Sequence, residues 1–494
     1  MRATSRQGAR ERSVLIGIDV GTTVLKVCAF DATSGALLAQ TSQKLPVALL
    51  ANGGREQSVQ TLDRAFAASV NAVRERLGNR WSMVTGIGLA AQGGSSIIAE
   101  RKSGKALTPM VLWNDARAHA HASLIEKRTT PEFWLEFTLR EGIPHGLARL
   151  SWLREKRPGL FHDFNIHVGA GEWMFHRLTG VWRQDPGNAI QVGSYNAAAK
   201  RLDSAAFDVI DIELSFVARL REEHETARLL PAAAKRLRLT AGIPVAGPYI
   251  DQEAGYLSAA GVSPHPVHCS LGTAWVCNYA RPDTDAVDSP MQLVLNSVVG
   301  KGQLVVLPLG TGNTSWDWAL TTLIDPDLDK ALENAEVLFR KSLVPPPGLV
   351  VVPHFAQRNP VHAEAYGAGA FFGISTGTTR ADILRAIAAG MVFELTDALR
   401  RPVSKGLADS IVLGGGASKG DYFCRLIAAM FRGIPVRKQV EQDLAVARGA
   451  VYAFAPDIAC APTAAVRMPG EAACRSLREA AACFDQVTRR FNAL

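Results

Sequence analysis

Val14–Phe30 reads VLIGIDVGTTVLKVCAF, two apolar runs joined by Gly21-Thr22-Thr23. That is the pattern of a β-hairpin with a polar tip. Backbone N–H groups and Thr hydroxyls around a glycine form a small concave donor set that suits phosphate oxygens, and a side chain in place of Gly21 would keep the anion out. A lone Gly-Thr tip is more often an ordinary turn, but Asp19 stands just ahead of this one. A carboxylate there would repel a phosphate unless Mg²⁺ bridged them, the way that ion is usually held. Lys26 adds a cation on the return strand.

Working outward, Val267–Tyr279 (VHCSLGTAWVCNY) repeats the arrangement more weakly, with Leu271-Gly272-Thr273 at the turn. Two such turns half a chain apart predict two halves built on one plan. A third glycine cluster, Gly414-Gly415-Gly416-Ala417, lies between the apolar run Ser410–Leu413 and the helical pattern Tyr422–Phe431. Strand, glycines, helix is the order in which backbone comes close to a nucleotide. Neither region is a GxGxxG or a Walker motif.

The remaining text alternates strand-like runs (Val84–Leu89, Leu304–Leu309, Leu349–Val352) with helical patterns (Leu62–Leu77, the Trp-rich Leu147–Leu178, Ile383–Leu399). Such alternation predicts an α/β fold in both halves. Glycine and proline are frequent between Pro244 and Pro266, where the boundary is expected. The expected division is a basic tail over 1–12, an N-terminal domain over 13–258 and a C-terminal domain over 259–494.

The chain has 494 residues, 47% hydrophobic and 20% charged, the balance of a folded globular protein of two to four domains rather than a disordered or fibrous one. Lys and Arg exceed Asp and Glu by 54 to 46, a net charge of +8. Four of the arginines (Arg2, Arg6, Arg10, Arg12) stand in the first dozen residues and the rest form no basic stripe, so no nucleic-acid partner is expected. No apolar run follows that start as a secretory signal requires, and no segment has the ~18 uncharged apolar residues of a membrane span. The expected location is the cytoplasm. Seven cysteines with neither a CxxC pair nor histidines at metal spacing read as free thiols.

In chain order, these motifs resemble those of the FGGY carbohydrate kinases, a family in the superfamily of hexokinase, actin and the heat-shock ATPases. Gly17–Lys26 looks like the family's first phosphate motif and Ser270-Leu-Gly272-Thr273 like its second. Leu413–Lys419 resembles the adenosine motif, continued by Ile434-Pro435-Val436 and Gly449-Ala450. Arg55-Glu56-Gln57, Trp113-Asn-Asp115-Ala-Arg117, Leu178-Thr-Gly180 with Asp185, and Gly369–Ile374 with Glu394 match further landmarks.

The resemblance implies two actin-like (ribonuclease H-like) ATPase domains flanking a catalytic cleft. It implies transfer of the ATP γ-phosphoryl group, with Mg²⁺, to a hydroxyl of a small sugar or polyol, foremost a pentulose such as xylulose, and by family habit a homodimer. Asp251, in Gly247-Pro-Tyr-Ile-Asp251-Gln252, matches the catalytic base. A helix cap is the plainer role for an Asp there. Asp19 and Asp251 would hold Mg²⁺. Gly21, Thr22, Thr23, Lys26, Gly272 and Thr273 would hold phosphates, and Gly415, Gly416 and Ala417 would line adenosine. Gln92, Trp113, Asp115, Arg117, Asp251 and Gln252 would form the sugar pocket. For Trp113 core packing is the alternative, and for Asp115 with Arg117 a structural ion pair. His119 and His121 read as surface residues, and Trp316 and Trp318 as core.

The sequence departs from the family at several points. Gln92 is followed by Gly93-Gly94-Ser95, where xylulose kinases carry Met-His and glycerol kinases Arg-Glu. Arg149 replaces a family Lys. Leu426 and Ala429 replace polar residues near the adenosine. The bare glycine loop leaves room for a rival reading, a non-catalytic actin-like nucleotide-dependent switch or sugar sensor. Against it stand Asp19, Thr22, Thr273 and Asp251 together.

Overall fold

A computed structural model describes residues 13–50, 52–140, 142–282, 294–296, 302–355 and 369–491. The basic tail expected over 1–12 lies outside the described residues.

The first sheet contains β1 (Val14–Val20), β2 (Val24–Asp31), β3 (Leu37–Lys44), β4 (Val84–Ala91), β5 (Thr226–Arg228) and β6 (Pro244–Ile250), in the spatial order β5-β6-β4-β1-β2-β3. β1, β2 and β3 form an antiparallel meander, while β4 and β6 run parallel to β1. Seven strands form the second sheet: β7 (Pro266–Leu271), β8 (Trp275–Arg281), β9 (Val294–Asn296), β10 (Gln303–Pro308), β11 (Ser410–Gly414), β12 (Val436–Gln439) and β13 (Thr463–Ala465). Their order is β9-β10-β8-β7-β11-β12-β13, again a meander from β7 with two parallel strands on its other side. The two halves share one plan, as the repeated turn predicted. The helices used below are α1 (Val59–Leu77), α2 (Pro186–Val192), α3 (Asp251–Leu257), α4 (Asn313–Leu323), α5 (Arg380–Ser404), α6 (Asp421–Met430), α7 (Ala445–Gly449) and α8 (Glu471–Phe491).

Every residue of β1 is buried, so its sequence is apolar instead of alternating with polar residues, with Asp19 the single exception. The two faces still differ. Val14, Ile16, Ile18 and Val20 enter a core shared with Leu62, Phe66 and Val70 of α1. Leu15, Gly17 and Asp19 occupy the opposite face, where Leu15 packs with Ala447 and Val451 from the second half. β7 behaves likewise: Val267, Cys269 and Leu271 join a core with α5, α6 and α8 residues, among them Leu395, Phe423 and Leu477. His268, Ser270 and Gly272 alternate onto the face turned toward the first half.

Each half lends a helix to the other. α3 follows β6 of the first sheet and packs on the second, where a Cβ on Gly255 would stand 2.9 Å from the His268 ring. α7 follows β12 of the second sheet and packs on the first, where a Cβ on Gly17 or Gly88 would stand 2.0 Å from the carbonyl oxygen of Ala447 or Ala450. The two helices meet where a Cβ on Gly449 would lie 1.7 Å from the Ala254 carbonyl oxygen. Glycine is required at these positions because two backbones touch.

One expectation is corrected. The Trp-rich region is not one helical stretch, because Pro158 and the strand Asn165–Val168 separate His145–Lys156 from Ala170–Thr179. Within the Pro244–Pro266 stretch, Pro244–Ile250 is a buried parallel strand of the first sheet. All seven cysteines are free.

Gly88→Val should therefore lower stability by about 3 kcal/mol through overpacking, read from the midpoint of urea unfolding. Gly159→Ala, where a Cβ would meet nothing within 4 Å, should leave that midpoint nearly unchanged.

Candidate active site

Parallel strands deliver the site residues to one edge. Val20 pairs with Ala91 and Ala91 with Ile250, so the chain leaves β1 into Gly21, β4 into Gln92 and β6 into Asp251 side by side. The carboxyl edge of parallel strands is where α/β proteins bind ligands.

Asp251 opens α3, and one of its carboxylate oxygens accepts the Gln252 N–H at 2.9 Å. The N-cap position belongs to Ile250, so Asp251 is the first residue of the helix rather than its cap, and the helix ends at Leu257. Burial, reinforced by the nearby charge of Asp19, pushes the Asp251 carboxyl up to about 7, while the Gln252 N–H pulls the other way. Asp19 is also held above the usual carboxylate range by burial, against the opposing pull of Lys26. Asp19 and Lys26 are cross-strand partners, with Nζ and Oδ2 3.7 Å apart.

The first turn is engaged by the side chains of Gln57, Gln92 and Trp113. Gly21 N–H donates to the Val24 carbonyl at 3.0 Å, and a Cβ on Gly21 would stand 2.8 Å from that oxygen, so the tight turn itself accounts for this glycine. The Thr22 hydroxyl donates to Gln92 Oε1 at 3.0 Å and accepts from Trp113 Nε1 at 3.1 Å, while Gln57 Nε2 donates to the Thr22 carbonyl at 2.5 Å. Thr22 thus ties the turn to Gln92 and Trp113 rather than presenting a free hydroxyl. Thr23 is exposed. Gln92 is buried and its Nε2 has no hydrogen-bond partner among the described residues, a donor that a ligand oxygen would satisfy. Trp113 is 36% exposed, which removes the core-packing alternative.

Asp115 and Arg117 resolve as the structural pair. Asp115 is fully buried and accepts from the Arg55 N–H at 2.7 Å and from Arg117 at 2.8 Å. Arg117 also donates to Glu56 Oε1 at 2.7 Å and lies over the Trp152 ring at 4.4 Å. Both residues brace the wall behind Trp113, and Asp115 has no exposed surface to offer a sugar. Gln252 turns its side-chain oxygen to Asn278 of β8 at 3.1 Å, a bond between the halves.

The second turn is different. Its outer carbonyls are used by α4: Asn313 N–H donates to Gly272 at 3.0 Å and Thr314 N–H to Thr273 at 3.3 Å. A Cβ on Gly272 would have nothing nearer than 3.9 Å. Packing does not demand glycine there, which fits a surface kept clear for a ligand. Thr273 is exposed beside it. Ser270 pairs with Gly414 across the parallel β7–β11 ladder, which brings Gly415 to the same edge. Gly415 has φ 85°, and its Cβ would meet the Leu271 backbone at 2.7 Å. Gly416 is exposed, and Ala417 is half-buried. Leu426 and Ala429 are core residues and face away from this edge. Gly449-Ala450, expected to extend the adenosine motif, instead lies at the contact between the halves.

Several supporting residues carry no motif of their own. Arg149, fully buried, donates to the carbonyls of Trp113 (2.8 Å) and Gly94. Asn188 Oδ1 accepts the Gly94 N–H at 2.8 Å, and its amide donates to Glu172 at 2.9 Å. Asp185 caps α2 through the N–H groups of Gly187 and Asn188 and pairs with Arg221, which also grips Glu253 at 2.7 Å. Burial pushes Glu172 up to about 7. In the sequence, this network showed only through Asp185, matched as a family landmark, and Arg149, standing where the family has Lys. His121 is buried, not a surface residue, with its ring beside Ser151 at 3.0 Å. Trp316 is core, but Trp318 is 45% exposed. Among the described residues no group of three or more His, Cys, Asp or Glu is placed to hold a metal.

Residues 14–258 match the family model described as the N-terminal domain of the FGGY family of carbohydrate kinases, and residues 267–455 the corresponding C-terminal domain. Among curated proteins, the chain is 26% identical to the xylulose kinase of Escherichia coli over 428 residues, covering 84% of each chain. It is 23% identical to that of Staphylococcus epidermidis over 424 residues, 85% of this chain and 83% of the relative. It is also 26% identical to the glycerol kinase of Thermus brockianus over 393 residues, 75% of each. The crystal structure of xylulose kinase from Rhodospirillum rubrum superposes with a TM-score of 0.83 at 20% identity, covering 97% of this chain and 100% of that one. That likeness agrees with the two-sheet, actin-like fold.

Removing Asp115 leaves Arg117 enclosed without its main counter-charge. Asp115→Ala should cost about 3 kcal/mol, the usual scale for breaking a buried pair, measured by urea unfolding.

Proposed function

This chain belongs to the FGGY family of carbohydrate kinases, and from that premise we propose that its acceptor is a pentulose such as xylulose, with Asp251 as the general base. It is an ATP-dependent phosphotransferase that uses an alcohol group as acceptor. The xylulose kinases among its relatives support the pentulose. The observation that carries the assignment of the base is Asp251 itself, a carboxylate raised to about 7 at the carboxyl edge of three adjacent strands.

Phosphoryl transfer asks the protein mainly for positioning and charge stabilisation. A sugar hydroxyl attacks the γ-phosphorus, the bond to the β,γ-bridging oxygen breaks, and Asp251 takes the hydroxyl proton. Gln92 and Trp113 bound the acceptor, with Asp115 and Arg117 fixing the Trp113 segment from behind. Gly272 and Thr273 face the phosphates, and Gly415 to Ala417 the adenosine. Lys26, paired with Asp19, stands at the first turn. Asp19 and Asp251 would hold Mg²⁺. Burial and, at Asp251, the charge of Asp19 hold these carboxyls above the usual range, and a cation beside them would favour their ionised forms. When bound it would neutralise phosphate charge. Closure of the halves over the site would exclude water. Among the described residues no helix is long and apolar enough to cross a membrane, in keeping with the cytoplasm as the place of action.

Asp251→Asn should reduce kcat by about 10²- to 10⁴-fold while the protein still binds ATP, measured by coupled ADP release and calorimetry. Wild-type-like turnover would overturn the base.

In the wild type, kcat/KM should rise with pH and level off above about 7, because only the ionised carboxylate accepts a proton. The fold favours the neutral acid, so this group's contribution to stability is greatest below about pH 4 and declines as pH rises toward 7. Asp251→Asn should therefore melt above the wild type at pH 8 but not at pH 4, as read by scanning calorimetry.

A further inference from the structure

The loop after β4 lacks side chains at Gly93 and Gly94, and the space they would fill is taken by Gln191. A Cβ on Gly94 would stand 2.1 Å from Gln191 Oε1 and 3.3 Å from Trp113 Cβ. One on Gly93 would stand 3.0 Å from Gln191 Nε2 and 2.3 Å from Ile250 Cδ1, immediately before Asp251. The amide therefore lies where the Gln92–Gly94 loop, Trp113 and the entry to α3 converge. Gly94 has φ 71°, a conformation that glycine adopts without strain.

Gln191 is held in place through its helix. It lies one turn beyond Asn188 on α2, so both project from the same side. Asn188 grips the Gly94 N–H, and Asp185 fixes the start of the helix. The Gln191 side chain is half-buried, and its amide makes no hydrogen bond to another described residue. A primary amide offers both donors and an acceptor, and withdrawing one from water without a partner is costly. On the loop that carries Gly93 and Gly94, Gln92 Nε2 is buried without a partner. An unpartnered Gln191 amide facing the gap left by Gly93 and Gly94, with a buried unsatisfied Gln92 donor on the same loop, suits a hydroxyl-bearing ligand.

We propose that Gln191 is a specificity-determining residue of the acceptor pocket, its amide hydrogen-bonding a sugar hydroxyl from the place that Gly93 and Gly94 leave open. This assignment rests on the carbohydrate-kinase reading above.

The test is steady-state kinetics of Gln191→Met, which nearly keeps the volume but removes donor and acceptor. D-xylulose, D-ribulose and glycerol are each varied at saturating ATP, and ATP is varied at saturating acceptor. Loss of one or two hydrogen bonds should raise KM for the preferred acceptor about 10-fold and change the ranking of the acceptors. KM for ATP and the melting temperature should stay at wild-type values. An active wild type whose acceptor KM values survive Gln191→Met within about twofold would overturn the proposal. So would a parallel rise in both KM values with a lowered melting temperature, which would assign Gln191 to packing. A wild-type protein inert toward all three acceptors, yet binding ATP, would instead strike the pentulose reading and remove this assignment with it.

Discussion

The contact on which the arrangement depends contains no side chains. At the crossing of α3 and α7 the Gly449 backbone lies against the Ala254 carbonyl, and α7 reaches the first sheet at Gly17 and Gly88. Helices normally keep 8–10 Å between axes because side chains intervene. Here glycine lets backbone meet backbone, and each half is anchored in the other. The exchange also fixes what faces what: the strand face carrying Gly17 carries Asp19 at its carboxyl end, and the face carrying His268 carries Gly272. Both polar turns consequently belong to surfaces turned toward the opposite half.

The duplicated plan is chemically unequal. Aligning Gly21 with Gly272 sets Asp19 against Ser270, so only the first half brings a carboxylate to its turn. The two glycines differ as well. Gly21 is explained by the Val24 carbonyl, whereas Gly272 has open space before it. The first half collects acids and amides, while the second supplies an uncharged, open turn beside the Gly415 loop. This division suits a proton acceptor on one side and an anionic nucleotide on the other.

Much of this was legible in the sequence because turns and strand edges are local. The Gly-Thr tips, the β1 and β7 runs and the order of glycine clusters all follow from short-range preferences, and the paired halves followed from their repetition. Long-range partnerships were not legible. Asp115 and Arg117 could equally have met a ligand; Arg55 and Glu56, 60 residues away, decide that they brace a wall. Gly449 reads like a nucleotide-loop glycine because a close approach to phosphate and one to a carbonyl demand the same missing Cβ. Gln191 carried no signal, since an isolated glutamine on a short helix looks like surface until Gly93 and Gly94 are seen to open toward it.

The Thr22 hydroxyl owns a single hydrogen, and it is given to Gln92 while Trp113 supplies the oxygen's incoming bond. A phosphate oxygen claiming that hydrogen would have to release Gln92 Oε1, leaving the amide free to turn toward whatever occupies the adjacent pocket. One proton thus serves two addresses. If the nucleotide and acceptor sites lie as proposed, a nucleotide that makes this bond would change the hydrogen-bonding face offered to the acceptor, and by reciprocity an acceptor engaging Gln92 would change what Thr22 offers the nucleotide.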